Sequence, residues 1–211
     1  MNKTGFYKKG AEAELSEVLN NGERALSKKR LSKGYRNKKL DDKIRKERTR
    51  SEARLLREAS LVVNTPKIQK VDENETEIVM EFIGGVPLKE IIEKKPFLCI
   101  EAGACIKKIH DIGIIHGDLT TSNIIFIDKP NSEEFKERVK SRGNLFFVDF
   151  GLGFFSKKLE DRATDLVVFK KTFNATHSSL KNGWDLVMRG YAPGKELSER
   201  MNAIEKRARY H

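Results

Sequence analysis

The feature that most constrains this chain is a pair of short polar segments, each set against an apolar run. The first is Ile115-His116-Gly117-Asp118-Leu119-Thr120-Thr121-Ser122-Asn123, continuing into Ile124 to Ile127; the second is Phe147-Val148-Asp149-Phe150-Gly151. Each reads as strand and loop, so Asp118, Asn123 and Asp149 are expected on loops at strand ends. Asn123 and Asp149 offer oxygen atoms suited to a hard divalent cation. Asp118 offers a carboxylate that can orient a hydroxyl and take its proton. Phosphoryl transfer asks for this set, because its catalysis is positioning and charge stabilisation. The plainer alternative is two buried strands joined by an Asx-stabilised turn. Both segments in this order, each beside a β-type apolar run, favour the chemical reading.

The bulk numbers fit one large domain or two small lobes around a cleft: 211 residues, 38% hydrophobic and 35% charged. The abundance of Lys and Glu suits a hot-environment protein with ion-pair networks. A formal net charge of +11 and a pI near 9.6 point to an acidic partner such as nucleic acid, nucleotide phosphates or an anionic protein face. Cys99 and Cys105 are the only cysteines. Six residues apart on an expected helix they share no face, so reduced thiols are expected. No apolar run reaches membrane-spanning length and the N-terminus lacks a signal-peptide core, so a soluble, cytoplasmic protein with no membrane partner is expected.

H-x-D-x-x-x-x-N followed by D-F-G is the protein-kinase signature, and it assigns expected roles to the rest of the chain. Gly10-Ala11-Glu12-Ala13 reads as a turn between two strands, where kinases set a glycine-rich loop over ATP phosphates. Only one glycine is present, and Glu12 and Glu14 place negative charge where phosphates would lie. Control by a partner that reorients them is expected. Arg24 to Leu31 reads as a third strand, and by position its phosphate-holding lysine is Lys28. Lys29 and Arg30 beside it leave a solvated basic strand end as the alternative. Asp41 is expected to cap a helix running to about Ser60, with Ile44, Ala53, Leu55, Leu56 and Ala59 as its apolar stripe. Glu52 is the candidate to pair with Lys28, and Glu47 is the weaker choice. From 28 to 57 there are fourteen Lys or Arg against four Asp or Glu, which predicts an anionic docking surface, RNA foremost.

Pro66 to Val71 and Glu77 to Ile83 predict a hairpin that ends at the breaker Gly84-Gly85-Val86-Pro87. Backbone groups near Glu81 and Ile83 are expected to take an adenine edge. This hinge divides an N-lobe, 1–83, from a C-lobe, 84–211. Helices are expected over Leu88–Lys95, Ile100–Asp111, a stretch through Asp165 to Phe173, Trp184–Tyr191 and Leu197–Arg207, ending in the basic tail Lys206 to His211. Residues 128–143 read as an enlarged, exposed hairpin tip with a helical turn, tolerant of change. Gly117 stands where ordinary kinases carry an arginine that receives an activation-loop phosphate. The segment after Gly151 is short and holds no A-P-E. An enzyme not switched by loop phosphorylation is expected.

With these motifs in place, the chain closely resembles the small atypical kinase of the KEOPS/EKC complex, related to the RIO kinases. The resemblance is carried by Gly-Ala-Glu-Ala at 10–13, Lys-Gly-Tyr-Arg at 33–36, Arg-Thr-Arg-Ser-Glu-Ala-Arg at 48–54 and His-Gly-Asp-Leu-Thr-Thr-Ser-Asn at 116–123. Asp-Phe-Gly-Leu at 149–152, Glu-Asp-Arg-Ala-Thr-Asp-Leu at 160–166 and Thr-His at 176–177 add to it. It implies an α+β fold: a minimal two-lobed kinase with an antiparallel-sheet N-lobe and a truncated, mainly helical C-lobe. It also implies ATP and Mg2+, serine/threonine kinase or ATPase activity, and a part in threonylcarbamoyladenosine modification of tRNA. Implied partners are the threonylcarbamoyl transferase subunit, in some archaea fused to the kinase, a small regulatory subunit on the N-lobe, and tRNA along 28–57 and the basic tail. The enlarged 128–143 segment departs from the family's compact pattern. Two rivals remain: a small-molecule phosphotransferase of aminoglycoside or choline kinase type, and a tRNA- and partner-binding scaffold with little catalysis.

Overall fold

The computed structural model describes residues 2–10, 12–130 and 132–208, with the backbone alone for residues 2–9. Ala11 and the tail beyond Ala208 therefore lie outside the described residues.

Three strands open the chain: β1 (Asn2–Lys9), β2 (Ala13–Asn20) and β3 (Glu23–Arg30). After helix α1 (Lys38–Ala59) come β4 (Ile68–Asp72) and β5 (Glu77–Glu81). Together they form one antiparallel sheet in the order β1-β2-β3-β5-β4. Alternation decides its two faces. Ile78 and Met80 of β5 join the main core under α1, whereas Val79 meets Val18 and Ala25 in a small separate cluster on the other face. On β3 the same alternation puts Leu26, Lys28 and Arg30 on the α1 side.

The cap of α1 is Asn37, whose side chain accepts from the amides of Lys39 and Leu40. Asp41 was the expected cap. It lies instead within the first turn, buried, and accepts from Arg45 Nε at 2.9 Å and from the Lys33 amide at 3.4 Å. Of the expected stripe, Ala53, Leu55, Leu56 and Ala59 are buried, while Ile44 is half-buried.

The second part is mainly helical. β6 (Val86–Pro87) leads into α2 (Leu88–Ile91), shorter than the helix expected there, and then α3 (Leu98–Asp111). β7 (Ile114–Ile115), β8 (Ile124–Phe126), α4 (Glu133–Arg142), β9 (Leu145–Phe147) and β10 (Phe154–Phe155) carry the two signature loops. α5 (Leu159–Thr176), α6 (Gly183–Tyr191) and α7 (Lys195–Arg207) close the chain. A single apolar core runs from Leu55, Leu56 and Ile78 of the first part to Phe169, Tyr191 and Met201 of the second. The two parts are thus continuous beneath the cleft. No helix among the described residues is long and apolar enough to cross a membrane.

The segment expected as a tolerant hairpin tip is the ten-residue helix α4, capped by the Ser132 hydroxyl. It buries no residue, so no apolar stripe announced it. Two of its arginines nevertheless reach back to the amino-terminal part, so the segment is exposed as expected but is a helix with long-range contacts rather than a hairpin tip.

Candidate active site

The cleft is built around one buried carboxylate. Glu52, 1% exposed, projects from α1 with Oε1 2.7 Å from Lys28 Nζ and Oε2 2.6 Å from Arg30 Nη2. Lys28 Nζ also lies 2.7 Å from Asp149 Oδ1. Lys29 points to the opposite face and pairs with Glu75, and Glu47 is exposed beside Lys43. The β period thus turns Lys29 away and leaves Lys28 and Arg30 on the cleft side, where Glu52 of α1 meets both. Burial would lower the Lys28 ammonium, but Glu52 and Asp149 outweigh it and hold its pKa above the ordinary lysine value. Burial would raise the Asp149 carboxyl, yet Lys28 holds it below the usual range.

Opposite stands the 116–123 loop. Asn123 Nδ2 donates to the Asp118 carbonyl at 2.8 Å and to Asp118 Oδ2 at 3.0 Å, which locks the two side chains together. Asp149 adopts a left-handed backbone with φ 60°, a conformation that costs a non-glycine residue energy and that clusters at functional sites. Gly117 has φ 77°, and a Cβ there would stand 2.2 Å from the Leu152 carbonyl oxygen. Sterics therefore require a glycine at this point of the loop.

The loop is held from beneath by Asp165, which sequence reasoning had noted only as part of a helix. Its Oδ2 accepts from the His116 amide and its Oδ1 from the Gly117 amide, both at 3.0 Å. Its Oδ2 also meets His110 Nε2 at 3.2 Å. Burial would raise this carboxyl, but the His110 contact and the His116 amide hold it below the ordinary range. His116 is buried and its pKa is lowered by desolvation. Its Nε2 contacts the Val148 carbonyl at 3.2 Å, and its Nδ1 is unpartnered. Both features fit a neutral ring that props the strand before Asp149. Arg30 was missed as well; the period-2 pattern that picks Lys28 was the signal that could have found it.

Two adjoining cavities share Lys28, Asp149 and Leu15. The inner, about 280 Å3, is lined by Leu26, Met80, Ile83, Ile125 and Val148, with Glu81 and Asn123 at its edges. The outer, about 250 Å3, is lined by Gly10, Glu12, Ala13, Arg30, Asp118 and Gly151. One is apolar and suited to a flat ring, the other charged and suited to phosphates. Glu12 does not aim freely into it: its carboxylate pairs with Arg48 at 2.6 Å and Lys33 at 3.5 Å. The repulsion expected from Glu12 is thereby already compensated by α1 and the segment before it.

A five-stranded antiparallel sheet and a helical part, joined by a hinge with a charged cleft beneath, define the protein-kinase-like class. Two solved structures share this fold: the Rio2 kinase–ADP/Mg2+–phosphoaspartate complex from Chaetomium thermophilum, TM-score 0.61, 14% identity, covering 97% of this chain and 70% of that one, and WaaP bound to acyl carrier protein, TM-score 0.63, 15% identity, covering 97% and 87%. The RIO domain family matches residues 14–132. The KEOPS complex subunit Bud32 of Pyrococcus abyssi is 38% identical over 97% of this chain and 96% of its own length. A probable bifunctional tRNA threonylcarbamoyladenosine biosynthesis protein of Methanothermobacter thermautotrophicus is 38% identical over 96% of this chain, which spans only 36% of that longer protein. The chain belongs to the RIO-domain kinases, and within them to the Bud32 family.

Proposed function

We propose that this protein is the kinase or ATPase subunit of a KEOPS complex, using ATP to support threonylcarbamoyladenosine modification of tRNA, with serine/threonine protein kinase activity. The observation that carries the proposal is the 38% identity to a KEOPS subunit over nearly the full length of both chains.

The chemistry follows from the cleft, with residues 1–83 and 84–211 acting as its two lobes. Adenine lies in the apolar inner cavity against the backbone of Glu81 and Ile83. Gly10, Glu12 and Ala13 stand above the phosphates, and Ala11, which lies outside the described residues, belongs to the same expected phosphate-covering segment. Lys28, held by Glu52, grips phosphate oxygens. Among the described residues no group of three or more His, Cys, Asp or Glu side chains gathers to hold a metal. Asp149 and Asn123, a carboxylate and a side-chain amide oxygen, would hold a magnesium ion, for which both are suitable hard ligands. The Asn123 nitrogen is engaged by Asp118, so its oxygen is the atom turned to a cation. When bound, that ion neutralises charge that develops on the phosphates. Asp118 orients the attacking hydroxyl or water and takes its proton.

A transferase subunit, free or fused, and a small regulatory subunit on the sheet lobe are the expected protein partners. tRNA is expected along 28–57 and the basic tail, and the cytoplasm is the expected compartment. ATP turnover and the location of transferred phosphate, measured with and without the transferase subunit and tRNA for wild type and Asp118→Ala, test the proposal. A loss of at least about a hundredfold in the variant is expected, as for removal of one preorganised catalytic group. Equal turnover in both proteins would refute the role of Asp118.

A further inference from the structure

Helix α4 lies between the short strands β8 and β9 of its own part, yet its arginines make their hydrogen bonds with the other part. Arg138 Nη1 donates to Glu81 Oε2 at 2.7 Å, and Nη2 donates to the Thr65 carbonyl. Its guanidinium lies 5.4 Å from the centre of Phe135 and 4.9 Å from that of Phe146. Arg142 Nη1 donates to the Ser60 carbonyl at the end of α1 at 2.5 Å. The Asn64 side chain donates to the Gly143 carbonyl at 2.9 Å, and the Phe147 amide donates to the Asn64 carbonyl at 2.8 Å. One insertion thus touches the end of α1, the approach to β4 and the end of β5.

The Glu81 contact lies against the cleft. The same Oε2 that meets Arg138 accepts the Lys67 amide at 3.1 Å, and the Glu81 amide donates to the Lys67 carbonyl at 2.8 Å. Arg138 and Glu81 each leave only 14% of the side chain exposed, so water is a poor substitute for either. Glu81 and Phe82 form the wall between the inner cavity of the cleft and a second groove of about 620 Å3 on the far side of the hinge. α4 borders that groove through Glu134 and Phe135. Without Arg138 the Glu81 carboxylate would keep only the Lys67 amide, and the hinge strand would lose its side-chain tie to α4.

We propose that Arg138 is a positioning residue for the cleft: by fixing Glu81 from behind, it holds the hinge backbone over residues 81–83 in the register that receives the nucleotide base. This rests on the reading of the cleft as a nucleotide site. The effect falls on ground-state binding rather than on the chemical step, because Arg138 lies behind the hinge, away from the Lys28–Asp149 end of the cleft. Nucleotide affinity and KM should therefore move while kcat stays nearly constant.

The test has two readouts on the full chain. The first is backbone hydrogen exchange at Asn64, Thr65, Lys67 and residues 81–83 in nucleotide-free protein, which does not depend on any activity. The second is titration with ADP and Mg2+ by calorimetry, together with KM and kcat for ATP turnover. Arg138→Met should speed exchange at those amides about tenfold and weaken ADP about tenfold, with kcat changed less than about threefold. Arg138→Lys, which keeps charge toward Glu81 but not the two-pronged contact, should fall between. Lys136→Ala, whose partner Glu133 lies on the same helix, should change neither readout. Unchanged exchange in Arg138→Met overturns the proposal. Faster exchange with unchanged ADP affinity also overturns it, by reducing the contact to local stability. Failure of the wild type to bind ADP or turn over ATP would refute the nucleotide reading, and with it the positioning role, whatever the exchange result says of the tie to Glu81.

Discussion

Replacing Glu52 by glutamine gives the sharpest test of the cleft. Its two carboxylate oxygens divide between Lys28 at 2.7 Å and Arg30 at 2.6 Å, and the three residues are 1%, 7% and 5% exposed. At an effective dielectric near 20 the gross attraction is about 6 kcal/mol per pair, but desolvation offsets most of it. The relevant quantity is the cost of leaving a buried cation without its partner, about 3–5 kcal/mol. Lys28 retains Asp149, and the glutamine oxygen can still accept from one cation, so the lower end, about 3 kcal/mol, is expected. With a urea slope near 2 kcal/mol/M the midpoint should fall by about 1.5 M. The melting temperature should drop by about 6–12 °C. Lys28 would then lean toward Asp149 alone, and ATP turnover should fall by about a hundredfold. Parallel urea melts and turnover assays decide the matter. A Glu52→Gln protein that unfolds within about 0.3 M of wild type and retains turnover would show that the carboxylate neither neutralises the buried cations nor sets Lys28, and the reasoning would fail.

Two further outcomes are expected. Gly117→Ala puts a Cβ 2.2 Å from the Leu152 carbonyl at φ 77°, so the loop must shift; melting should drop by several degrees and turnover should fall with it, and an unchanged melt would refute the packing argument. Burial pushes the Cys99 and Cys105 thiols up to about 11 and about 12, so at pH 8 both stay protonated and should resist iodoacetamide in the native protein while reacting once unfolded; rapid native labelling of either would contradict the core placement.

How much of this was legible in the sequence depended on the range of each determinant. Asp118, Asn123 and Asp149 could be read because residue types at fixed short spacings sat beside apolar runs, and the structure brings all three to one cleft with Lys28 and Glu52. Asp165 was out of reach: a carboxylate inside a helix looks solvated until the fold lays the His116 and Gly117 amides across it. The cap of α1 was misplaced because Asn37 and Asp41 are both plausible capping side chains, and only Arg45 and the Lys33 amide explain why the aspartate is drawn inward. Helix α4 was the largest miss. Hydrophobic periodicity registers helices that bury a stripe, and α4 is anchored instead by long guanidinium arms whose targets, the Ser60 and Thr65 carbonyls and Glu81, are remote in sequence.

The same distinction between local pattern and remote contact revises the meaning of the basic stretch. Counted along the chain, 28–57 holds fourteen cations and four carboxylates. In the fold, ten of the fourteen face a carboxylate within 4.0 Å. Three of those carboxylates, Glu12, Glu73 and Glu75, come from turns outside the stretch. Exposed pairs of this kind are worth about 0–1 kcal/mol each, so they can yield to a stronger anion. Among the described residues, Lys38, Lys39, Arg54 and Arg57 make no such pair, and Arg54 stacks over Phe155 at 4.7 Å. The long-range field of a chain with net charge +11 survives this local pairing, because pairing redistributes charge without removing it. Attraction of an acidic partner and close docking onto it are therefore separate demands. The composition meets the first, whereas Lys38, Lys39, Arg54 and Arg57 are the cations of α1 that could meet the second without first breaking an ion pair.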